Sequence, residues 1–156
     1  LREELEQLRK AYATSRPANR LGVIRQRLSR VQADGGPTRL VAVVSAVEAL
    51  ARSLVVHAPG RPASTSHFRY QQLHLKAPLE LVEEALRLHG ALPAVEQYGE
   101  QTWQLFELAH KYRNLLVHEC TYLDQDKYPA LIAASEQVLD GLVVAGGLPR
   151  LIAAQD

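Results

Sequence analysis

The segment of residues 39–57 constrains the fold most, because it is apolar on almost every side when drawn as a helix. Its main polar interruptions are Ser45, Glu48 and Arg52, which follow one narrow stripe at the spacing i, i+3, i+7. A helix with so little polar surface needs neighbours on more than one side, so it is predicted to lie at the centre of the domain. A carboxylate there needs a partner or a wet pocket. Glu48 is therefore predicted either to pair with Arg52 or to face a functional pocket.

Apolar periodicity predicts further helices, separated by clear breaks such as the Asp-Gly-Gly-Pro sequence at residues 34–37. Leucines at positions 1, 5 and 8, followed by a tyrosine at 12, have the spacing of an amphipathic helix. With no convincing strand pattern, the fold class is predicted to be all-α, a single-domain helical bundle of five to six helices over residues 1–156. We expect its two most apolar helices, at 39–57 and 100–119, to pack against each other at the centre. The predicted helical regions are the N-terminal 1–33, then 39–57, 77–89, 100–119 and the C-terminal 129–144.

Composition is typical of a soluble globular protein, since 47% of the 156 residues are hydrophobic and 22% are charged. No apolar run reaches the roughly 18 to 20 residues of a membrane span. The first residues contain acids where a signal peptide would have a basic start. The single cysteine, Cys120, cannot form an internal disulfide and suits a reducing compartment. We therefore expect a cytoplasmic protein without a membrane partner, and the Ala, Leu, Arg and Val bias fits a bacterial source.

Charge is distributed unevenly along the chain. Residues 1–75 carry 12 basic and 5 acidic side chains, a balance of +7, whereas residues 76–156 carry 6 and 12, a balance of −6. Residues 9–30 alone contain seven basic side chains and no acid. Such a run is either a surface for nucleic acid or a basic face that is solvated or paired within the protein.

The most informative motif lies near the end of the helix predicted at 100–119, where residues 112–118 read YRNLLVH. Arg113 offers a planar fork of donors for a phosphate, His118 titrates near neutral pH, and Asn114 can orient either partner. Asn114 and His118 are an i, i+4 pair on one face, whereas Arg113 lies roughly 140° round the helix from His118. Such a wide arrangement is easier to complete from two helices than from one.

The Arg-Asn-x-x-x-His sequence, in an all-helical chain with an earlier apolar helix carrying Glu48, resembles the signature of the HEPN superfamily. The resemblance implies a homodimer with a composite site, and metal-independent endoribonuclease activity that leaves 2′,3′-cyclic phosphate ends. Arg113, Asn114 and His118 would be catalytic, with Glu48 supporting them. RNA contacts are predicted at Arg52, Lys111 and His110. A toxin or defence role is implied, and an antitoxin protein is a possible partner.

One departure concerns that antitoxin. Toxins of this superfamily that pair with a nucleotidyltransferase antitoxin often carry a tyrosine two residues after the histidine, where this chain has Cys120. The next tyrosine is Tyr122. That particular pairing is therefore in doubt, although the catalytic argument is unaffected.

Three alternatives accompany the catalytic hypothesis. Arg113 could instead pair with Glu107, Glu119 or Glu48, while His118 stabilises the C-terminus of its helix. The fold could also be a non-catalytic module for dimerisation or for binding RNA or another ligand. Metal catalysis is disfavoured, because the six histidines form no i, i+4 pair and no Cys/His cluster exists, so no cofactor or metal is expected.

A second apolar strip is predicted on the motif helix, beside the polar residues. It contains Trp103, Phe106 and Val117, which a purely solvated face would not normally carry. We expect this face to lie near the two-fold axis of a homodimer, where a motif close to the axis is duplicated. The opposite face, which includes Leu115, is expected to join the core.

Overall fold

A computed structural model describes residues 1–149 of the chain, and this part forms helices and connecting turns without a β-strand. The last seven positions of the predicted domain, 150–156, lie outside the described residues. The predicted all-α class is confirmed. In the described range the α-helices are α1 (Arg2–Thr14), α2 (Pro17–Arg30), α3 (Pro37–Val56), α4 (Ser66–Gln72), α5 (Pro78–Leu88), α6 (Ala94–Tyr98), α7 (Glu100–His118) and α8 (Tyr128–Ala145).

Eight helices in residues 1–149 exceed the predicted five to six, because α4 and α6 were not anticipated. At 7 and 5 residues they are too short to show helical periodicity, and helices of that length are marginal in isolation. Tertiary bonds hold them instead. Arg69 of α4 donates to the carbonyl of Val56, and the Glu83 carboxylate accepts from the backbone N–H of Ala94 at the start of α6.

The segment predicted to be central is α3, which packs against α2, α5, α7 and α8. Proline at its first position presets the helical φ angle, as it also does for α2 and α5. The predicted packing of the 39–57 and 100–119 helices is confirmed, but α7 is not central. Only Phe106 and Ala109 are buried on α7, whereas nine residues are buried on α8. The second central helix is therefore α8, and α7 lies at one side of the bundle.

The apolar faces of α7 differ from the prediction. Phe106 is 0% exposed, and both it and Trp103 pack in the core of their own chain, where Tyr98, Trp103 and Phe106 form a stacked series. The expectation that Trp103 and Phe106 line a dimer axis is therefore wrong. Leu115 is also not part of the core, since it is 43% exposed, and Val117 is 53% exposed. The cover of each face depends on how α6 and α8 pack against α7, and helical periodicity does not predict that packing.

The stripe of α1 is the other departure. Leu1, Leu5, Leu8 and Tyr12 are between 46% and 97% exposed, and Ala13 is the residue of this helix that is buried. Its C-terminal end is attached to α3 through His57, whose Nε2 donates to the carbonyl of Ala13 at 2.9 Å. Within residues 1–149, no helix is both long enough and apolar enough to cross a membrane.

Candidate functional site

The candidate site lies where α3 and α7 pack against each other. Ser45 and Glu48 of α3 lie on one stripe because they are three residues apart, and His110 and Arg113 of α7 have the same spacing. A polar stripe of α3 and a polar stripe of α7 therefore meet across the interface. They bring together two regions of the sequence that are more than 60 residues apart, since the bond between Arg113 and Glu48 spans 65 positions.

Arg113 is the centre of this polar cluster. Its side chain is only 12% exposed, and all three of its nitrogens have partners. Nε donates to Asn114 Oδ1 at 3.0 Å, Nη1 donates to Ser45 Oγ at 3.2 Å, and Nη2 contacts Glu48 Oε2 at 3.5 Å. A guanidinium carries five N–H groups, so two remain beyond these three contacts. The arrangement holds the cation in one orientation, and Arg113 itself does not line the neighbouring groove described below.

Glu48 links Arg113 to a second arginine. Its Oε2 contacts Arg113, and its Oε1 lies 3.6 Å from Nη2 of Arg52, one helical turn along α3. The predicted pair with Arg52 is present, and the same carboxylate also contacts Arg113. The ion pair of Arg113 is thus with Glu48, and not with Glu107 or Glu119. A single half-buried carboxylate shared by two guanidinium groups leaves the cluster with net positive charge.

Asn114 contacts a different histidine from the one predicted. Its Nδ2 lies 3.0 Å from Nε2 of His110, four residues earlier, while its Oδ1 accepts from Arg113. Side chains on a helix lean towards its N-terminus, which directs Asn114 to the preceding turn and away from His118. Burial lowers the pKa of His110, and the positive charge of Arg113 lowers it further. His110 is therefore a neutral imidazole at pH 7, able to accept a bond from Asn114 but not to attract a phosphate as a cation.

His118 stands apart from the cluster. It lies in the last turn of α7, is exposed, and has no hydrogen bond or ion pair within the described part of the chain. The C-terminal end of a helix, where His118 lies, carries a partial negative charge. Arg113 is directed towards α3 and His118 towards solvent. Within the described residues, the two predicted catalytic groups therefore make no contact with each other: Arg113 is nearly buried and His118 is exposed.

A groove of about 680 Å³ runs beside the cluster, between the end of α2, the start of α3 and the end of α7. Arg27 and Arg30 supply positive charge to its wall, and Ser45, the partner of Arg113, also lines it. Sequence reasoning did not select Arg27, Arg30 or Ser45 as site residues, although the run of basic side chains at 9–30 was a signal for the first two. Of the three predicted RNA contacts, Lys111 is exposed on α7, and neither it nor Arg52 or His110 lines this groove.

Within residues 1–149, no three His, Cys, Asp or Glu side chains come together as a group that could hold a metal ion. Cys120 is exposed at the rim of the groove, with a φ angle of 49° that few residues other than glycine adopt. The chain matches no protein-family model, and no curated protein or solved structure is significantly similar to it.

Proposed function

We propose that this protein is a metal-independent endoribonuclease of HEPN type that cleaves single-stranded RNA. The observation that supports the proposal best is the orientation of Arg113. Three partners from two helices hold its guanidinium, two of its N–H groups remain for a ligand, and the groove beside it carries Arg27 and Arg30. Preorganised donors of this kind stabilise charge that develops on a phosphate in the transition state.

The proposed reaction is an attack of the ribose 2′-oxygen on the adjacent phosphorus. A base takes the proton of the 2′-hydroxyl, the P–O5′ bond breaks, and an acid protonates the leaving 5′-oxygen. The products are a 2′,3′-cyclic phosphate and a 5′-hydroxyl. In this scheme Arg113 binds the phosphate, His118 acts as the base or the acid, and Asn114 and Glu48 position Arg113.

A homodimer would supply the second acid–base group. Because Arg113 and His118 of one chain make no contact with each other, the proposed site brings the motifs of both protomers together. Arg113 holds the phosphate, and the two His118 side chains act as the base and the acid. The exposed Leu115 and Val117, which lie three residues and one residue before His118, provide apolar surface for this contact. The C-terminal end of α7 thus replaces the surface of Trp103 and Phe106 as the proposed interface. The proposed biological role is RNA cleavage in a toxin or defence system, with an antitoxin protein as a partner.

A second candidate is a non-catalytic module that binds RNA or another ligand through the same groove. It is favoured by the low exposure of Arg113, 12%, and by its contacts with three protein partners, which equally suit an arginine that stabilises the bundle. In that case His118 would be an ordinary surface residue.

The deciding experiment is cleavage of end-labelled single-stranded RNA in EDTA, with the 3′ ends of the products identified. His118→Ala should lower the rate by about 10² to 10⁴-fold, because it removes a general acid or base. The matched control is His74→Ala. His74 is exposed and distant in sequence from His118, and its one hydrogen bond is to the backbone carbonyl of Gln71, three residues earlier. Arg113→Lys keeps the charge but loses the fork of donors, and should lower the rate by about 10² to 10³-fold.

Circular dichroism of each variant controls for unfolding. RNA left intact at high wild-type concentration, with binding still measurable, would favour the non-catalytic module. Activity retained by His118→Ala at the level of His74→Ala would mean that the site is elsewhere. A 17.3 kDa species in light scattering at micromolar concentration would contradict the dimer.

A further inference from the structure

A second, smaller cavity lies between α1, α2, α3 and α4, and Arg52 is one of the residues that line it. Its volume is about 170 Å³, and its polar wall consists of Tyr12, Arg20, Arg52, Ser53 and Tyr70. One water molecule needs roughly 10 to 15 Å³ of such volume, so the cavity has room for several polar atoms and one planar ring. None of the residues that line it also lines the groove that contains Ser45.

Two donors in this wall are buried without a partner. Ser53 is only 7% exposed, and its Oγ has no hydrogen bond within the described residues. Nε of Arg52 is likewise inaccessible and unpaired there, although Nη2 of the same side chain contacts Glu48. An unsatisfied buried polar group costs about 1 to 3 kcal/mol. A ligand that brings acceptor atoms into the cavity would remove that penalty at both positions.

The rest of the wall combines aromatic rings with guanidinium groups. Cζ of Arg20 lies 4.6 Å from the centre of the Tyr12 ring, and Cζ of Arg52 lies 5.9 Å from that of Tyr70. Aromatic and guanidinium planes stack on nucleobases, and arginine also binds phosphate. The carboxylate in contact with this wall, that of Glu48, is shared with Arg113. The cavity is therefore positively charged as well as aromatic.

We propose that this cavity binds one unpaired nucleotide of the RNA, next to the phosphate that Arg113 holds. The base stacks against Tyr70 or Tyr12, while its phosphate pairs with Arg20. Ser53 Oγ and Arg52 Nε are inaccessible in the free chain, so they donate to the base only after small rotations of the two side chains. Glu48 joins the two subsites, because its two oxygens contact Arg52 and Arg113 respectively. The identity of the ligand as RNA rests on the proposed function, and the cavity would then set the base preference of cleavage.

The test is calorimetric binding of the four 5′-mononucleotides, ribose 5-phosphate and inorganic phosphate to the full chain. At least one mononucleotide should bind with 1:1 stoichiometry, tenfold or more tightly than either base-free compound. Tyr70→Leu and Arg20→Gln should each weaken binding by about tenfold, and Ser53→Ala by roughly threefold to tenfold for one lost hydrogen bond. The control Arg9→Gln removes an equal charge from the exposed surface of α1 and should leave affinity unchanged.

Equal affinity for inorganic phosphate would overturn the proposal, because the base would then contribute nothing. Absence of saturable binding, or equal binding by Tyr70→Leu and wild type, would overturn it as well. Mononucleotide binding does not depend on cleavage, which separates this inference from the proposed function. A protein that binds mononucleotides through these residues but leaves RNA intact would refute only the ribonuclease. A protein that cleaves RNA but binds no mononucleotide would refute only the cavity.

Discussion

We expect Glu48→Gln to destabilise the protein more than the loss of the shorter but more exposed ion pair between Arg39 and Glu136. Glu48 is 24% exposed and lies 3.5 Å from Arg113 and 3.6 Å from Arg52. At an effective dielectric constant of about 20, one pair at that separation has a gross attraction of about 5 kcal/mol. Most of this offsets desolvation, but glutamine keeps the shape while leaving two neighbouring guanidinium groups without an anion. We expect a net loss of about 2 kcal/mol, below the range for a fully buried pair.

The matched control is Glu136→Gln. Glu136 contacts Arg39 at 2.9 Å, but the two side chains are 43% and 26% exposed. In an aqueous dielectric the attraction of such a pair is about 1 kcal/mol, and exposed pairs contribute about 0 to 1 kcal/mol. Glu48→Gln should therefore lower the free energy of unfolding more than Glu136→Gln, because Glu48 is more buried and contacts two guanidinium groups, although its distances are longer.

Urea unfolding followed by circular dichroism measures both variants, with the slope m as a check on two-state behaviour. For a chain of this length, a loss of about 2 kcal/mol lowers Tm by roughly 4 to 8 °C. If Glu48→Gln is no more destabilising than Glu136→Gln, the cluster is not held electrostatically, and the argument for a preorganised Arg113 fails. A change in m without a change in the free energy of unfolding would contradict it too.

Two further perturbations test the packing and the electrostatics. Gly141→Ala would place a Cβ atom close to the buried ring of Tyr98, with its hydroxyl oxygen at 2.6 Å, and should lower the free energy of unfolding by about 1 to 3 kcal/mol. Gly22 lies within α2, and a Cβ atom there would have no heavy atom within 4 Å, so Gly22→Ala should raise the free energy of unfolding by about 0.5 to 1 kcal/mol. Equal effects of the two substitutions in urea unfolding would refute this reasoning. Burial, followed by Arg113, lowers the pKa of His110 below the ordinary value of 6.5, so its neutral form stabilises the fold above pH 6.5. The free energy of unfolding of wild type should therefore decrease as the pH falls below 6.5, whereas that of His110→Gln should decrease less over the same range. If the two proteins show the same pH dependence, His110 is not the group responsible.

Local sequence was sufficient to predict the helices that are long and the breaks between them. Proline at the start of α2, α3 and α5, and the apolar repeats that follow, act through backbone sterics and neighbouring turns, which tertiary packing does not alter. The same reasoning placed Glu48 on one stripe with Arg52, whereas its contact with Arg113 was one of three pairings that the sequence left open. The functional meaning of that contact stays a proposal.

What the sequence alone could not decide is which surface covers which face. Helical periodicity shows that α1 and α7 have apolar faces, but a neighbour distant in sequence decides whether each face is buried. Phe106 is therefore in the core, whereas Leu5 and Leu115 are exposed. The partner of Asn114 is different, because it follows from local geometry: helical side chains lean towards the N-terminus, so Asn114 reaches His110 and not His118. Periodicity is a property of one helix, and burial is a property of the pairs of helices that the whole chain brings together.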